Sequence, residues 1–228
     1  MPRIVDLTQP LGPETVLWPG SKPVEVSTVA TIAADGHFAQ TLHLPEHSGT
    51  HLDAPAHFVA GGQTVDEIAA ESLVLPCAVL DVRERTAADP DFALDAADLD
   101  ELERSDGRIE PGSAVLLATG WDAHIDDPAR YLGGEEAGHL RFPGFGAGAA
   151  RALVARGVAG IGIDTVSVDR GSDTGFPVHR ITLPAGLWHL EGLVGIGALP
   201  ARGATLVVGA LPVRGGSGAP ARVVAIVP

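Results

Sequence analysis

The chain contains little of several residue types, and each shortage excludes a class of protein. Cys77 is the one cysteine among 228 residues, so no internal disulfide framework exists. It lies in the apolar run LVLPCAVLDV, where we expect a buried, unreactive thiol. Lysine and arginine number 15 against 29 acidic residues, and the resulting net charge of −14 disfavours nucleic acids and anionic membranes as partners.

Long apolar runs and targeting signals are also missing. No stretch of about 18 uncharged apolar residues occurs, so the sequence predicts no membrane helix. The opening MPRIVDLTQPL lacks the basic-then-apolar layout of a secretion signal, and with the cysteine count this predicts a cytoplasmic protein. The hydrophobic content of 45% suits a folded globular core.

Apolar runs punctuated by glycine and proline predict strands along the whole chain. Helices are predicted over residues 64–74, 92–104 and 146–157, the last ended by Gly157, and a long loop over residues 122–146. No repeat or linker divides the sequence. We therefore expect one α/β domain over residues 1–228.

The segment HSGTHLDAPAHF, residues 47–58, holds four possible metal ligands in eleven positions: His47, His51, Asp53 and His57. In an extended chain the first three share one face. The Cα atoms of His47 and His51 would then lie about 13 Å apart, which is barely within reach of one ion. We therefore expect a bend at Gly49. A proline at position 55 disfavours a helix, so the segment is predicted to be a bent loop at a strand end.

The remaining ligands must come from elsewhere in the chain. The segment FPVHRITLPAGLWHLEGL, residues 176–193, offers His179 and Glu191, with His189 as a competitor of Glu191. Asp164 and Asp169 follow a predicted strand; turn formation is the favoured role for both, and support of an active site is the alternative.

The sequence resembles the cyclase family of metal-dependent hydrolases, which includes kynurenine formamidase and isatin hydrolase. Residues 47–57 match the signature H-x-G-T-H-x-D-x-P-x-H. Further landmarks occur in the expected order: DLTQPL at 6–11, WPG at 18–20, GIGIDTVSVD at 160–169 and the 176–193 segment. The likeness thus covers most of the chain.

The resemblance implies a set of metal ligands: His47, His51, Asp53, His179 and Glu191. It implies one or two divalent ions, with Asp53 and Glu191 bridging when two are bound; zinc is expected first and manganese second. His57 would be the proton donor and acceptor, and Trp18 would line the substrate pocket. The implied architecture is a swivelling β/β/α fold with a central mixed sheet or barrel-like core and flanking helices, assembled as a homodimer or homotetramer.

The implied activity is hydrolysis of a C–N amide bond, N-formyl or cyclic, in a small aromatic compound. Two positions depart from the family pattern: Gly192 stands where asparagine is common, and Ser21 where formamidases often have aspartate. Both departures concern the choice of substrate. Alternatives are a biosynthetic cyclase, dehydratase or lactone hydrolase using the same site, and a metal-binding protein without catalytic activity.

Overall fold

The computed structural model describes residues 1–133 and 139–228. Its strands are β1 Arg3–Asp6, β2 Glu25–Ala30, β3 Ala39–His43, β4 His51–Asp53, β5 Val74–Asp81, β6 Ala93–Leu94, β7 Ala114–Ala118, β8 Gly144–Phe145, β9 Gly160–Ile163, β10 Trp188–Glu191, β11 Ala204–Ala210 and β12 Gly218–Val227. Its helices are α1 Ile32–Asp35, α2 Arg83–Ala88, α3 Ala96–Asp106, α4 Pro128–Tyr131, α5 Ala147–Arg156 and α6 Pro177–Thr182.

The main sheet closes on itself. Its order is β1-β12-β11-β5-β7-β9-β10-β4, and β4 also pairs with β12, which completes a barrel with β1 attached outside it. The pairs from β5 through β7 and β9 to β10 are parallel, whereas β4, β11 and β12 pair antiparallel. This mixed barrel with flanking helices confirms the predicted α/β fold class. The three-residue strand β4 lies at the closure, with neighbours on both sides.

Buried strands supply side chains to two apolar cores. Every residue of β7 is buried, in agreement with its continuous apolar sequence. Leu116 belongs to one cluster, with Leu206 and Val223, while Leu117 belongs to another, with Leu153 of α5. Because successive side chains on a strand point to opposite faces, one strand contributes to both cores. Cys77 is buried as predicted, and burial raises the pKa of its thiol to about 11.

Two of the predicted helices are confirmed. Helix α3 begins after Asp95, whose backbone N–H donates to the Asp98 carboxylate at 2.9 Å. Helix α5 ends at Gly157, which adopts φ 69°, a left-handed conformation that glycine tolerates. The helix predicted over residues 64–74 is wrong: this region forms two short 3-10 turns, Val65–Glu67 and Ala70–Leu73, because Ile68 and Ala69 between them are extended.

The long loop predicted over residues 122–146 is also wrong in part. This region contains helix α4, strand β8 and most of a 3-10 turn, Trp121–His124. A proline and an aspartate cap make the local helix: Pro128 stands in its first turn, and Asp127 accepts from the Arg130 backbone N–H at 3.1 Å. Residues 134–138 of the predicted loop lie outside the described residues.

Strands β2 and β3 form a separate two-stranded hairpin. Several of its large apolar side chains, and one from α1 between the strands, are exposed: Val29, Ile32, Phe38 and Leu42. In residues 1–133 and 139–228, no helix has both the length and the apolar composition needed to cross a bilayer.

Candidate metal centre and active site

Two antiparallel strands form the base of the site. In the register of β4 and β10, His51 lies opposite Glu191, and Asp53 lies opposite His189. Residues two apart on a strand face the same side, so these four side chains converge on one face. All four are almost completely buried, with at most 5% of any of them exposed. The closure of the barrel thus places two imidazoles and two carboxylates together.

A bend brings His47 to the same cluster. Gly49 adopts φ 60°, as the predicted bend requires, and the His47 Nδ1 atom lies 2.6 Å from the Asp53 Oδ1 atom. The predicted restriction of Ala54 by Pro55 is confirmed. Ala54 is extended as expected, but Pro55 then starts a single 3-10 turn, Pro55–His57, a position in which proline is tolerated.

Helix α6 supplies His179, and Asp169 fixes its position. The Asp169 carboxylate accepts from the His179 Nδ1 atom at 2.5 Å and from the backbone N–H groups of Val178 and His179 at 2.7 and 3.2 Å. The turn role favoured for Asp169 is therefore wrong, because this residue supports the site. The Asp164 carboxylate accepts from the backbone N–H groups of Thr119 and Gly120, which follow β7, so its hydrogen bonds are to a distant segment and not to a local turn.

Hydrogen bonds on the outer side of the cluster fix which nitrogen of each imidazole carries hydrogen. His51 Nδ1 lies 2.9 Å from the Gly49 carbonyl, and His179 Nδ1 contacts a carboxylate, so both of these nitrogens donate. In the neutral rings, each Nε2 atom then carries a lone pair. Both Nε2 atoms face Asp53 and Glu191, which is the orientation of metal-ligating histidines.

The same reasoning applies to His47. Its Nε2 atom lies 3.0 Å from the Ser217 hydroxyl, which donates its own hydrogen to Glu46 at 2.7 Å. The hydroxyl therefore accepts from His47 Nε2. The 2.6 Å contact between His47 Nδ1 and Asp53 Oδ1 is shorter than the spacing of about 3.4 Å between two ligands of one tetrahedral ion, so these two atoms must move apart to share an ion.

The other separations match ligand atoms that share an ion. His51 Nε2 lies 3.2 Å from Asp53 Oδ1 and 3.4 Å from Glu191 Oε2, and His179 Nε2 lies 3.4 Å from Asp53 Oδ2. Charge-assisted hydrogen bonds are shorter, about 2.7–2.9 Å. Two ligands about 2.0–2.1 Å from one tetrahedral ion lie about 3.4 Å apart. Among the described residues, His51 Nε2 and Asp53 Oδ2 are buried with no hydrogen-bond partner. The residues therefore fit a divalent cation.

The charges of the cluster lead to the same conclusion. Burial acts to lower the pKa of His51, but the negative charges of the adjacent Asp53 and Glu191 carboxylates outweigh burial and raise that pKa to about 10. Burial and the Asp53 charge act to raise the pKa of Glu191, yet His179 and His51 hold it at about 2. Two buried carboxylates thus require positive charge, which protons or a metal cation can supply.

The cluster forms one wall of a cavity of about 280 Å³. Aromatic rings form much of the rest: Trp18, Phe58, Tyr131 and Phe176. The ring of Phe176 lies 5.5 Å from that of Trp18, centroid to centroid. Phe176 has φ 50°, which is costly for a bulky side chain and indicates a position fixed by its surroundings. The two departures from the family pattern, Ser21 and Gly192, also line this cavity.

The sequence-predicted site residues all reach this region. The five residues of the predicted ligand set converge, while His57 and Trp18 line the cavity. Sequence reasoning missed Ser217 and Phe176, for which no local pattern gives a signal. It treated His189 as a competitor of Glu191, although strand periodicity places both on one face.

The chain is similar to known proteins over most of its length. Residues 5–170 match the family model described as "Putative cyclase". Isatin hydrolase from Roseibium aggregatum is 32% identical, covering 99% of this chain and 92% of the relative. Kynurenine formamidase from Salinibacter ruber is 30% identical, covering 97% and 96%.

Solved structures are similar over the whole chain. The crystal structure of an isatin hydrolase bound to the product analogue thioisatinate superimposes with a TM-score of 0.94 at 31% identity, covering 100% of this chain and 93% of that one. The family match, the two relatives and this superposition agree with the signature in residues 47–57. The chain belongs to the cyclase family.

Proposed function

We propose that this protein is a metal-dependent hydrolase that cleaves a C–N amide bond, N-formyl or cyclic, in a small aromatic compound. One observation carries the proposal: a cavity of about 280 Å³ has a cluster of metal-ligand atoms on one wall and aromatic rings on others. The names of the relatives, isatin hydrolase and kynurenine formamidase, support this substrate class. The cavity is close to the lower end of the usual range for ligand pockets, in keeping with a one- or two-ring substrate.

The proposed cofactor is one divalent ion or two, zinc first and manganese as the alternative. The residues proposed to hold it are His47, His51, Asp53, His179 and Glu191. When bound, the ion supplies a Lewis acid that polarises the substrate carbonyl and lowers the pKa of water. The buried carboxylates of Asp53 and Glu191 balance its charge, so the neutral imidazoles can complete the set without adding charge.

His57 is proposed to move the proton. Its ring stacks on that of His47 with centroids 4.0 Å apart and lines the cavity. Partial burial lowers the pKa of His57 to about 4, so the imidazole is neutral at pH 7. It can therefore accept the proton of the attacking water first and then return it to the departing nitrogen. Trp18 and Phe176 are proposed to hold the aromatic ring of the substrate.

Metal removal tests the proposal. The purified protein is assayed with formylkynurenine, isatin and a simple lactone, before and after chelation with the metal content verified. We expect hydrolysis of at least one of the two amides, loss of activity on chelation, and recovery with zinc or manganese. Product mass distinguishes the alternatives, because hydrolysis adds one water and a cyclase or dehydratase does not.

Undiminished turnover after verified metal loss would contradict the proposal. Turnover of the lactone alone would favour the lactone hydrolase alternative. A protein that binds metal but acts on none of these substrates would favour a metal-binding protein without catalytic activity.

We further propose that the protein is cytoplasmic and forms a homodimer or homotetramer in which the β2–β3 hairpin contributes to the interface. Phe38 and Leu42 on this hairpin are 60% and 55% exposed, and exposed large apolar side chains on one element are typical of contact surfaces. We expect light scattering to give a multiple of the 23.3 kDa chain mass. The double variant Phe38→Ser, Leu42→Ser should shift the mass to the monomer, whereas Leu211→Ser, equally exposed outside the hairpin, should not. A monomeric wild-type protein contradicts this proposal.

A further inference from the structure

His189 is a buried polar residue that the predicted ligand set leaves out. It lies on β10 with none of its side chain exposed, opposite Asp53 in the strand register. Its Nε2 atom is 2.7 Å from the Thr182 hydroxyl. That hydroxyl has one hydrogen, which it donates to the Val178 carbonyl at 2.7 Å. The hydroxyl must therefore accept from His189, and Nε2 carries the hydrogen of the ring.

The other nitrogen then carries a lone pair directed into the cluster. His189 Nδ1 is buried, has no hydrogen-bond partner among the described residues, and lies 3.6 Å from Asp53 Oδ2. A lone pair that faces a carboxylate oxygen in a buried site is unfavourable unless a cation lies between them. The distance between His189 Nδ1 and Asp53 Oδ2 exceeds the length of a hydrogen bond. It is close to the distance of about 3.4 Å between two ligand atoms of one tetrahedral ion.

The two carboxylates divide the four imidazoles into pairs. Asp53 Oδ1 faces His47 and His51 at 2.6 and 3.2 Å, while Asp53 Oδ2 faces His179 and His189 at 3.4 and 3.6 Å. Glu191 follows the same division, with Oε2 facing His51 and Oε1 facing His179, both at 3.4 Å. Each half of the cluster thus has two imidazole nitrogens and one oxygen from each carboxylate.

We infer that His189 is a ligand of a second metal position, which it forms with Asp53, His179 and Glu191. This inference rests on the proposed function and adds a fourth protein ligand on the buried side, away from the cavity. Ligand atoms of these four residues all lie within 4.8 Å of one another. Four protein ligands are typical of a zinc site that is closed to substrate. The second ion would then hold Asp53 and Glu191 in place, while the position at His47 and His51 faces the cavity.

Metal stoichiometry and affinity test the inference without relying on activity. Wild-type protein is expected to bind two zinc ions per chain in a chelator competition. His189→Asn should bind one ion with unchanged affinity and the other with an affinity at least about tenfold lower, because even residues that only orient a ligand contribute about 10–100-fold to affinity. Thr182→Val removes the hydrogen-bond partner of His189 Nε2 and should lower the affinity for the same ion by a similar factor. His37→Asn changes an exposed imidazole and should leave both affinities unchanged.

A measurement on the wild-type protein covers the case in which the variants do not fold. Comparing wild-type protein with His57→Ala, zinc X-ray absorption is expected to fit four imidazole nitrogens per two ions in both, whereas a site without His189 gives three once His57 is removed. The inference is overturned by three imidazoles, by an unchanged affinity for the second ion in His189→Asn, or by a wild-type protein that binds a single ion in excess zinc. These results leave the proposed function intact, whereas activity that survives complete metal loss overturns the proposed function itself.

Discussion

Replacing Asp53 with asparagine is expected to empty the metal site and abolish activity. Its two oxygens face four imidazoles at 2.6–3.6 Å, so this carboxylate contacts both halves of the cluster. Burial opposes its ionisation, but the imidazoles that surround it hold the pKa of Asp53 well below its usual range. Asparagine keeps the shape of the side chain and removes the charge that attracts the cation.

The expected loss is large. Lewis-acid stabilisation of a transition state amounts to several kcal/mol, so kcat/KM should fall about 10³-fold or more at about 1.4 kcal/mol per factor of ten. Metal content should fall with it, measured by elemental analysis after dialysis. Asp126→Asn, which changes an exposed carboxylate, is the matched control and should retain both metal and activity. A full metal complement in Asp53→Asn would show that Asp53 is not a ligand.

Metal binding to the wild-type protein should also depend on pH in a defined direction. Without a cation, the carboxylates raise the pKa of His51 to about 10, so this imidazole is protonated at pH 7. A metal ion must displace that proton, so affinity is expected to rise with pH and binding is expected to release protons. Calorimetry of metal binding in buffers of different ionisation enthalpy measures both the affinity and the number of protons released.

The sequence predicts those parts of the site whose ligands are close together in the chain. Four candidate ligands in residues 47–57 indicate metal chemistry by composition, and Gly49 between two histidines predicts the observed bend. Strand geometry also relates His189 to Glu191, because residues two apart share a face. Periodicity therefore predicts both residues at the site, whereas the predicted ligand set treats them as alternatives for one ligand position.

The remaining features depend on contacts between distant segments. The pairing of β4 with β12 closes the barrel and places Ser217 beside His47, yet neither segment contains a local signal for that register. Asp169 lies ten residues before His179, and only the packing of α6 brings its carboxylate to the imidazole. The fold class follows from apolar runs, whereas closure and the outer hydrogen bonds follow from tertiary structure.

Replacing His57 with alanine is expected to separate catalysis from metal binding. The ring lines the cavity, stacks on His47 and, among the described residues, has no hydrogen bond to a carboxylate, unlike His47 and His179. Its pKa of about 4 leaves it neutral at pH 7, ready to accept a proton. General acid–base assistance contributes about 10²–10⁴-fold, so kcat should fall by that factor with little change in metal content.

The outcome decides between two roles for His57. Ligand atoms of His47, Asp53 and His57 lie within 4.8 Å of one another, so the geometry also permits His57 to bind an ion. Measuring kcat and metal content in the same preparation distinguishes the roles, with exposed His37→Ala as the control. If His57→Ala loses metal in proportion to activity, His57 is a ligand. If metal is retained while kcat falls, its neutral imidazole moves the proton between water and the departing nitrogen.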